Sequence, residues 1–204
     1  MNSPAVRVLL LADTHGVLDP RIAELAQDCA LAVHAGDVGA SAVLEALAAA
    51  AGQVLAVRGN NDVAGKWLGP EADLLALPEC IDVPLPGGTL VLEHGHRHPP
   101  ARRHARLRAA HPGARAVLCG HSHRLLQDVV AAPWILNPGA AGRARTGAGP
   151  SCLLLDAGAL GWRVSVCQFP ALPRGARARG MVTGAAADPE PARATADRAR
   201  DAHR

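Results

Sequence analysis

The stretch VLCGHSHRLL, residues 117–126, is an apolar run that breaks at Gly120 and then offers two histidines one residue apart. In extended backbone, side chains at i and i+2 point to the same side, so His121 and His123 reach one common object from a strand's end. Imidazole adds little to an apolar core and is a frequent metal ligand, so a metal ion is the object this reading favours.

Other short apolar runs end in the same way. AVRVLLLADTHG (5–16) delivers Asp13 and His15, LAVHAGD (31–37) delivers Asp37, and QVLAVRGNND (53–62) delivers Asn60, Asn61 and Asp62. TLVLEHGHRH (89–98) adds His94, His96 and His98. One His-x-His in a chain with 10 histidines is ordinary surface chemistry. Five such endings in step with the strand pattern are not, because ligand sites of open α/β sheets form outside the carboxyl ends of strands. Gly16, Gly36, Gly59, Gly95 and Gly120 stand beside these residues and permit close backbone approach.

Between the early runs the pattern predicts helices over 19–29 and 41–51, and a third over ARRHARLRAAH (101–111) after Pro99 and Pro100. The first half therefore reads β-α-β-α-β. WILNPG (134–139), SCLLLDA (151–157) and WRVSVCQF (162–169) supply further strands, and the short spacing beyond residue 125 predicts antiparallel pairing. The continuous apolar character implies strands covered on both faces, hence an α/β fold of mixed sheets with helices outside. Residues 1–173 read as one domain. Residues 174–204, rich in Arg, Ala and Pro without apolar periodicity, read as a disordered or weakly helical tail.

Composition narrows the class. The chain is 49% hydrophobic but only 2% aromatic, so Ala, Val and Leu must build the core. A net charge of +3, no Tyr and a single Phe give nucleic acid neither a strong field nor stacking platforms. Cys29, Cys80, Cys119, Cys152 and Cys167 form no C-x-x-C pair and read as reduced buried thiols. No apolar stretch approaches the ~20 residues of a membrane span, and the N-terminus opens directly on a strand. A cytoplasmic protein without membrane contact is expected, and homo-oligomerisation is left open.

Carboxylate, imidazole and one amide oxygen suit Mn²⁺, Fe or Zn²⁺, whereas the absence of Cys from these motifs argues against a structural zinc and the histidines against Ca²⁺. Seven likely ligands from these strand ends are too many for one ion. Two ions bridged by a carboxylate use them, and such pairs, ~3.5–4 Å apart, serve displacement at phosphorus.

The ordered blocks D-x-H, G-D, G-N-N-D, H-G and G-H-x-H resemble those of the calcineurin-like metallophosphoesterases, and look most like their YfcE-type phosphodiesterase branch of Vps29-like fold. The resemblance spans residues 6 to about 168 and includes NPGA at 137–140. It implies a four-layer αββα sandwich, two mixed β-sheets flanked by helices. It further implies one ion on Asp13, His15, Asp37 and His123 and a second on Asp37, Asn60, His94 and His121. Mn²⁺ is the leading metal, with Fe, Zn²⁺, Ni²⁺ and Mg²⁺ as alternatives. The implied reaction is hydrolysis of a small phosphodiester by a metal-bridging hydroxide.

Asn61 departs from the wider family, in which a histidine often follows the metal-binding Asn. An amide donates a hydrogen bond but no proton, which favours diesters with good leaving groups. Asn61, Asp62 and His96 are the candidate catalytic residues beyond the ligands, His96 as a substrate-side donor or general acid and Asp62 chiefly as a prop for the Asn60–Asn61 turn. Arg143 and Arg145 are candidates for a phosphate oxygen. The arginines of 101–108 either steer an anionic substrate or form a solvated face. The rival readings are a phosphomonoesterase or nucleotide pyrophosphatase at the same site, or a catalytically silent Vps29-like scaffold.

Overall fold

The computed structural model describes residues 5–142, 148–171 and 182–183. Strand β1 (Val6–Leu11) is fully buried from Val8 to Leu11 because it is covered on both faces. Val8 and Leu10 pack inward with Leu90, Leu92, Leu118 and Leu136 of a second sheet, while Leu9 and Leu11 pack outward on Ile22, Val43 and Leu47 of helices. This alternation is why an unbroken apolar run forms a strand here.

β1 lies at the centre of the first sheet. It is parallel to β3 (Leu31–His34), which is parallel to β4 (Val54–Ala56), and antiparallel to β10 (Ser151–Gly158), which forms a hairpin with β11 (Gly161–Gln168). Helices α1 (Pro20–Ala26) and α2 (Ser41–Ala51) cover its outer face. α1 starts where Asp19 caps the Arg21 N–H and Pro20 fixes the first helical φ. α2 ends at Gly52, whose φ of +75° suits a residue without Cβ.

The second sheet runs β5 (Cys80–Leu85), β6 (Gly88–Glu93), β7 (Ala116–Leu118), β9 (Trp134–Pro138) and β8 (Leu125–Asp128). Helix α4 (Arg103–Ala110), entered through a 3₁₀ turn at Pro100–Arg102, lies on its outer face, with Leu107 against Val91, Val117 and Ile135. Helix, sheet, sheet and helix make the expected four-layer αββα sandwich. Apolar side chains of both sheets meet between the central layers, and every carboxyl end of β1, β3, β4, β6 and β7 opens into the same rim.

Three details differ from the sequence reading. β9 pairs with β7 in parallel rather than continuing an antiparallel meander, because β8 takes the sheet edge and the chain turns back into the slot beside β7. Helix α3 (Glu71–Ala76) and β5 were not anticipated. Cys80 is exposed and Cys167 half-buried, so only Cys29, Cys119 and Cys152 are the buried thiols expected; none of the five is in a disulfide. Of the segment 174–204, only Val182–Thr183 are described; they pair with Val17–Leu18 (β2), and the remainder lies outside the described residues. Among the described residues no helix is long and apolar enough to cross a membrane.

Candidate metal centre

Five non-glycine residues among those described have positive φ, and all five are predicted ligands: Asp13 (56°), His15 (49°), Asp37 (55°), His121 (68°) and His123 (55°). Such left-handed backbone is uncommon outside glycine and is most tolerated by Asn, Asp and His. It persists where neighbouring bonds over-determine it. Here Asp13 N–H donates to Gly36 O (3.0 Å), His15 N–H to Asp37 O (2.9 Å) and Gly16 N–H to Val38 O (2.7 Å), lacing the first two loops together. The kinks turn side chains that would follow the strand pleat into one common rim.

The seven predicted ligands converge. His15 Nε2 lies 3.1 Å from His123 Nε2 and 3.8 Å from Asp37 Oδ2, and His123 Nε2 lies 3.4 Å from Asp13 Oδ1. On the other side, His94 Nε2 is 3.5 Å from Asp37 Oδ2 and 3.2 Å from Asn60 Oδ1, and His121 Nδ1 is 2.8 Å from the same Asn60 oxygen. Two groups bring their donor atoms within 4.8 Å of one another: Asp13, His15 and His123, and Asp13, Asp37 and His94. Asp13 is common to both groups, and Asp37 Oδ2 faces a histidine of each half, His15 and His94.

The donor set fits divalent ions. His94 donates Nδ1–H to Ala35 O at 2.7 Å, which turns Nε2 toward the rim, the arrangement that orients metal-binding imidazoles. Burial pushes the Asp37 carboxyl upward, but hydrogen bonding to His94 and to the two N–H groups of Asn61 outweighs it and holds the group well below the usual carboxylate range. Burial lowers His94 while Asp37 and Asp13 raise it, with a net rise. Burial, then His94, keep His121 and His96 neutral to lower pH than usual. An ionised, buried Asp37 beside His121 in its neutral form attracts a cation.

Asn61 and Asp62 hold the loops. Asn61 N–H and Nδ2–H each donate to Asp37 at 2.7 Å, and its Oδ1 accepts from Lys66 Nζ at 2.7 Å. Asp62 is buried, and its carboxylate accepts from the N–H of Val38 (3.1 Å), Gly39 (2.8 Å) and Gly59 (2.8 Å). It therefore positions the Asp37 and Asn60 loops rather than facing the rim. Gly59 lies so close to this junction that a Cβ there would fall 2.2 Å from Asp37 Oδ1.

His96 lines a cleft of about 440 Å³ beside the centre, together with Arg58, Asn60, Glu71, Leu75 and Glu79. Its buried Nδ1 has no hydrogen-bond partner among the described residues. His98 points elsewhere, to Glu93 at 2.9 Å. Arg143 and Arg145 lie outside the described residues. In the basic helix, Arg103 is buried and donates Nε–H to Gly95 O at 2.9 Å, while Arg102 and Arg106 are exposed.

Three supporting residues were not singled out from sequence. Arg103 fixes the His94–Gly95 turn. Asn137 donates Nδ2–H to Gly120 O (2.9 Å) and Ser122 Oγ (3.1 Å), holding the G-H-S-H loop; its place in NPGA was the available signal. His34 is wholly buried at the end of β3, its Nδ1 accepting from Gly36 N–H and its Nε2–H donating to Thr14 Oγ1, whose hydroxyl passes on to Val38 O. Burial, then His94, push its pKa down to about 3.

The four-layer fold and the Asp and His cluster at its strand ends define the metal-dependent phosphoesterase class. The chain belongs to the calcineurin-like phosphoesterase superfamily, whose domain matches residues 6–159. Among solved structures it is similar to Vacuolar Protein Sorting 29 of Cryptosporidium parvum, at 21% identity over 82% of this chain and 100% of that one, with a TM-score of 0.63. A novel archaeal phosphodiesterase is similar at 22% identity, covering 79% and 99%, with a TM-score of 0.61. Vps29 of Entamoeba histolytica complexed with zinc is similar at 18% identity, covering 79% and 98%, also at 0.61. At these identities the likeness is one of fold. No curated protein matches the sequence.

Proposed function

We propose that the protein is a dinuclear metal-dependent phosphodiesterase acting on a small phosphoester. The observation that carries this reading is the place of Asp37, whose Oδ2 stands 3.8 Å from His15 Nε2 and 3.5 Å from His94 Nε2, between two sets of donors. Asp13, His15, Asp37 and His123 would hold one ion, and Asp37, Asn60, His94 and His121 the other. Bound divalent ions would acidify a coordinated water and stabilise charge on phosphoryl oxygens, which is why no protein nucleophile is required.

The chain's own residues then orient. Asn61 fixes the Asp37 carboxylate, Asp62 fixes the loops that present Asp37 and Asn60, and Asn137 fixes the loop that presents His121 and His123. His96, at the wall of the adjoining cleft, is the group placed to hydrogen-bond the departing oxygen. No histidine follows Asn60, so a diester whose leaving group departs without full protonation suits the site better than an alkyl monoester. Five cysteines outside any disulfide support a reducing, cytoplasmic setting.

The test is hydrolysis of an aryl phosphodiester beside the matching monoester, by metal-stripped protein reloaded in turn with Mn²⁺, Zn²⁺, Ni²⁺ and Mg²⁺. Diester cleavage restored by metal, with Mn²⁺ foremost, is expected. Silence with every ion, alongside retained binding of two ions, would move the reading to a binding scaffold.

A further inference from the structure

The second sheet carries another cluster of donors on the face turned away from the metal centre. The register of β5 and β6 pairs Cys80 with Glu93, which sets their side chains on one face. That face is the outer one: Val91, two residues before Glu93, packs there against Leu107 of α4. His94, the next residue, faces the opposite way into the rim. The end of α4 brings His111, whose Nε2 lies 2.9 Å from Glu93 Oε2. Cys80 Sγ, a Glu93 oxygen and a His111 ring nitrogen all lie within 4.8 Å of one another. His98 reaches the other Glu93 oxygen, Nε2 to Oε1 at 2.9 Å.

We propose that Cys80, Glu93 and His111 form a separate mononuclear transition-metal site of the kind that takes Zn²⁺, with His98 orienting Glu93 from outside the ligand set. Sulfur, oxygen and nitrogen donors match zinc's borderline character, and tetrahedral bonds of about 2.0–2.3 Å need donors roughly 3.3–3.7 Å apart, within a rotamer adjustment of this spacing. The fourth position opens to solvent beside exposed Cys80, which gives an entry path. The carboxylate is itself buried, and the bond from His98 fixes one oxygen and leaves the other for the ion. Burial, with Glu93 and Asp82 adding, raises the Cys80 thiol, so binding at neutral pH forms one sulfur–metal bond and releases the thiol proton to solvent. The ion ties β5, β6 and α4 together directly behind His94. Its ligands come from three separate segments, and Cys80 lies outside the motifs whose lack of Cys argues against a structural zinc.

Metal binding at Cys80, Glu93 and His111 does not depend on phosphodiesterase activity and has its own readout. The full chain, kept reduced, is titrated with Co²⁺ while the near-ultraviolet sulfur-to-cobalt charge-transfer band is followed; the dinuclear centre has no sulfur donor and is silent in that band. The band is expected to saturate and to be displaced by Zn²⁺. Cys80→Ser should abolish it and lower total bound metal by one equivalent, and His111→Ala should weaken the binding it reports at least about tenfold. Wild-type protein that binds Co²⁺ at the dinuclear centre without showing the band overturns the proposal, as does a band that survives Cys80→Ser.

Discussion

Asn61 holds both oxygens of Asp37: its backbone N–H donates to Oδ1 and its side-chain amide to Oδ2, each at 2.7 Å. The residue that follows Asn60 thus acts on the carboxylate proposed to join the two donor sets. Charge-assisted bonds of this kind contribute about 1.5–3 kcal/mol. Asn61→Ala removes the amide bond and leaves the backbone one, so metal affinity should fall about tenfold by calorimetric titration. Asn61→Asp should lose more, since a second carboxylate against Asp37 cannot ionise freely beside it.

Asp62 satisfies three backbone N–H groups drawn from two different loops. Asp62→Ala leaves these donors buried without partners, a cost of about 2–4 kcal/mol, which lowers the melting temperature by roughly 5–15 °C. Asp62→Asn keeps one acceptor oxygen in place and should fall between the two in thermal denaturation.

His34 predicts a pH dependence of stability. Its folded pKa, about 3, lies below the ordinary 6.5, so between those values the unfolded chain binds a proton that the folded chain does not. Its contribution is present in full above about pH 6.5 and is lost progressively as pH falls toward 3. Chemical denaturation across this range should show the decline, and His34→Gln, which has no such proton to gain, should flatten that part of the profile while being less stable at pH 7.

At Gly59 the side chain must be absent, because a Cβ would stand 2.2 Å from Asp37 N and Oδ1, the latter fixed by Asn61. Backbone and a clamped carboxylate do not yield cheaply. Gly59→Ala should therefore displace Asp37 and remove metal-supported activity while leaving the far-ultraviolet circular dichroism of a folded chain.

Much of this architecture was legible because the signals are local. β1, β3, β4, β6 and β7 are short apolar runs that each stop near a glycine and a candidate ligand. His121 and His123 were legible as rim residues, but not for the reason of an extended backbone: they lie in the loop beyond β7 with φ of 68° and 55°, and face different donor groups. β5 was less legible: CIDVPL carries Pro84, which a sheet tolerates only at an edge, and β5 is the edge strand. Helix α3 is six residues long, too short for a periodic signal. The role of Arg103 was hidden in a run of similar charges, and its burial is decided by the Gly95 carbonyl on another element. The grouping of Cys80, Glu93, His98 and His111 depends on strand register and on where α4 ends, neither of which a single motif encodes.

Asp37 is proposed to serve both ions, and the most direct measurement is metal content and diester hydrolysis of Asp37→Asn beside wild type after identical reloading with Mn²⁺. Removing one bridging charge should reduce the rim's capacity for two ions and lower kcat/KM by more than about 100-fold, a loss at least as large as that of one oxyanion donor. A folded Asp37→Asn variant that keeps two ions and near wild-type diester hydrolysis would rule out Asp37 as the shared ligand.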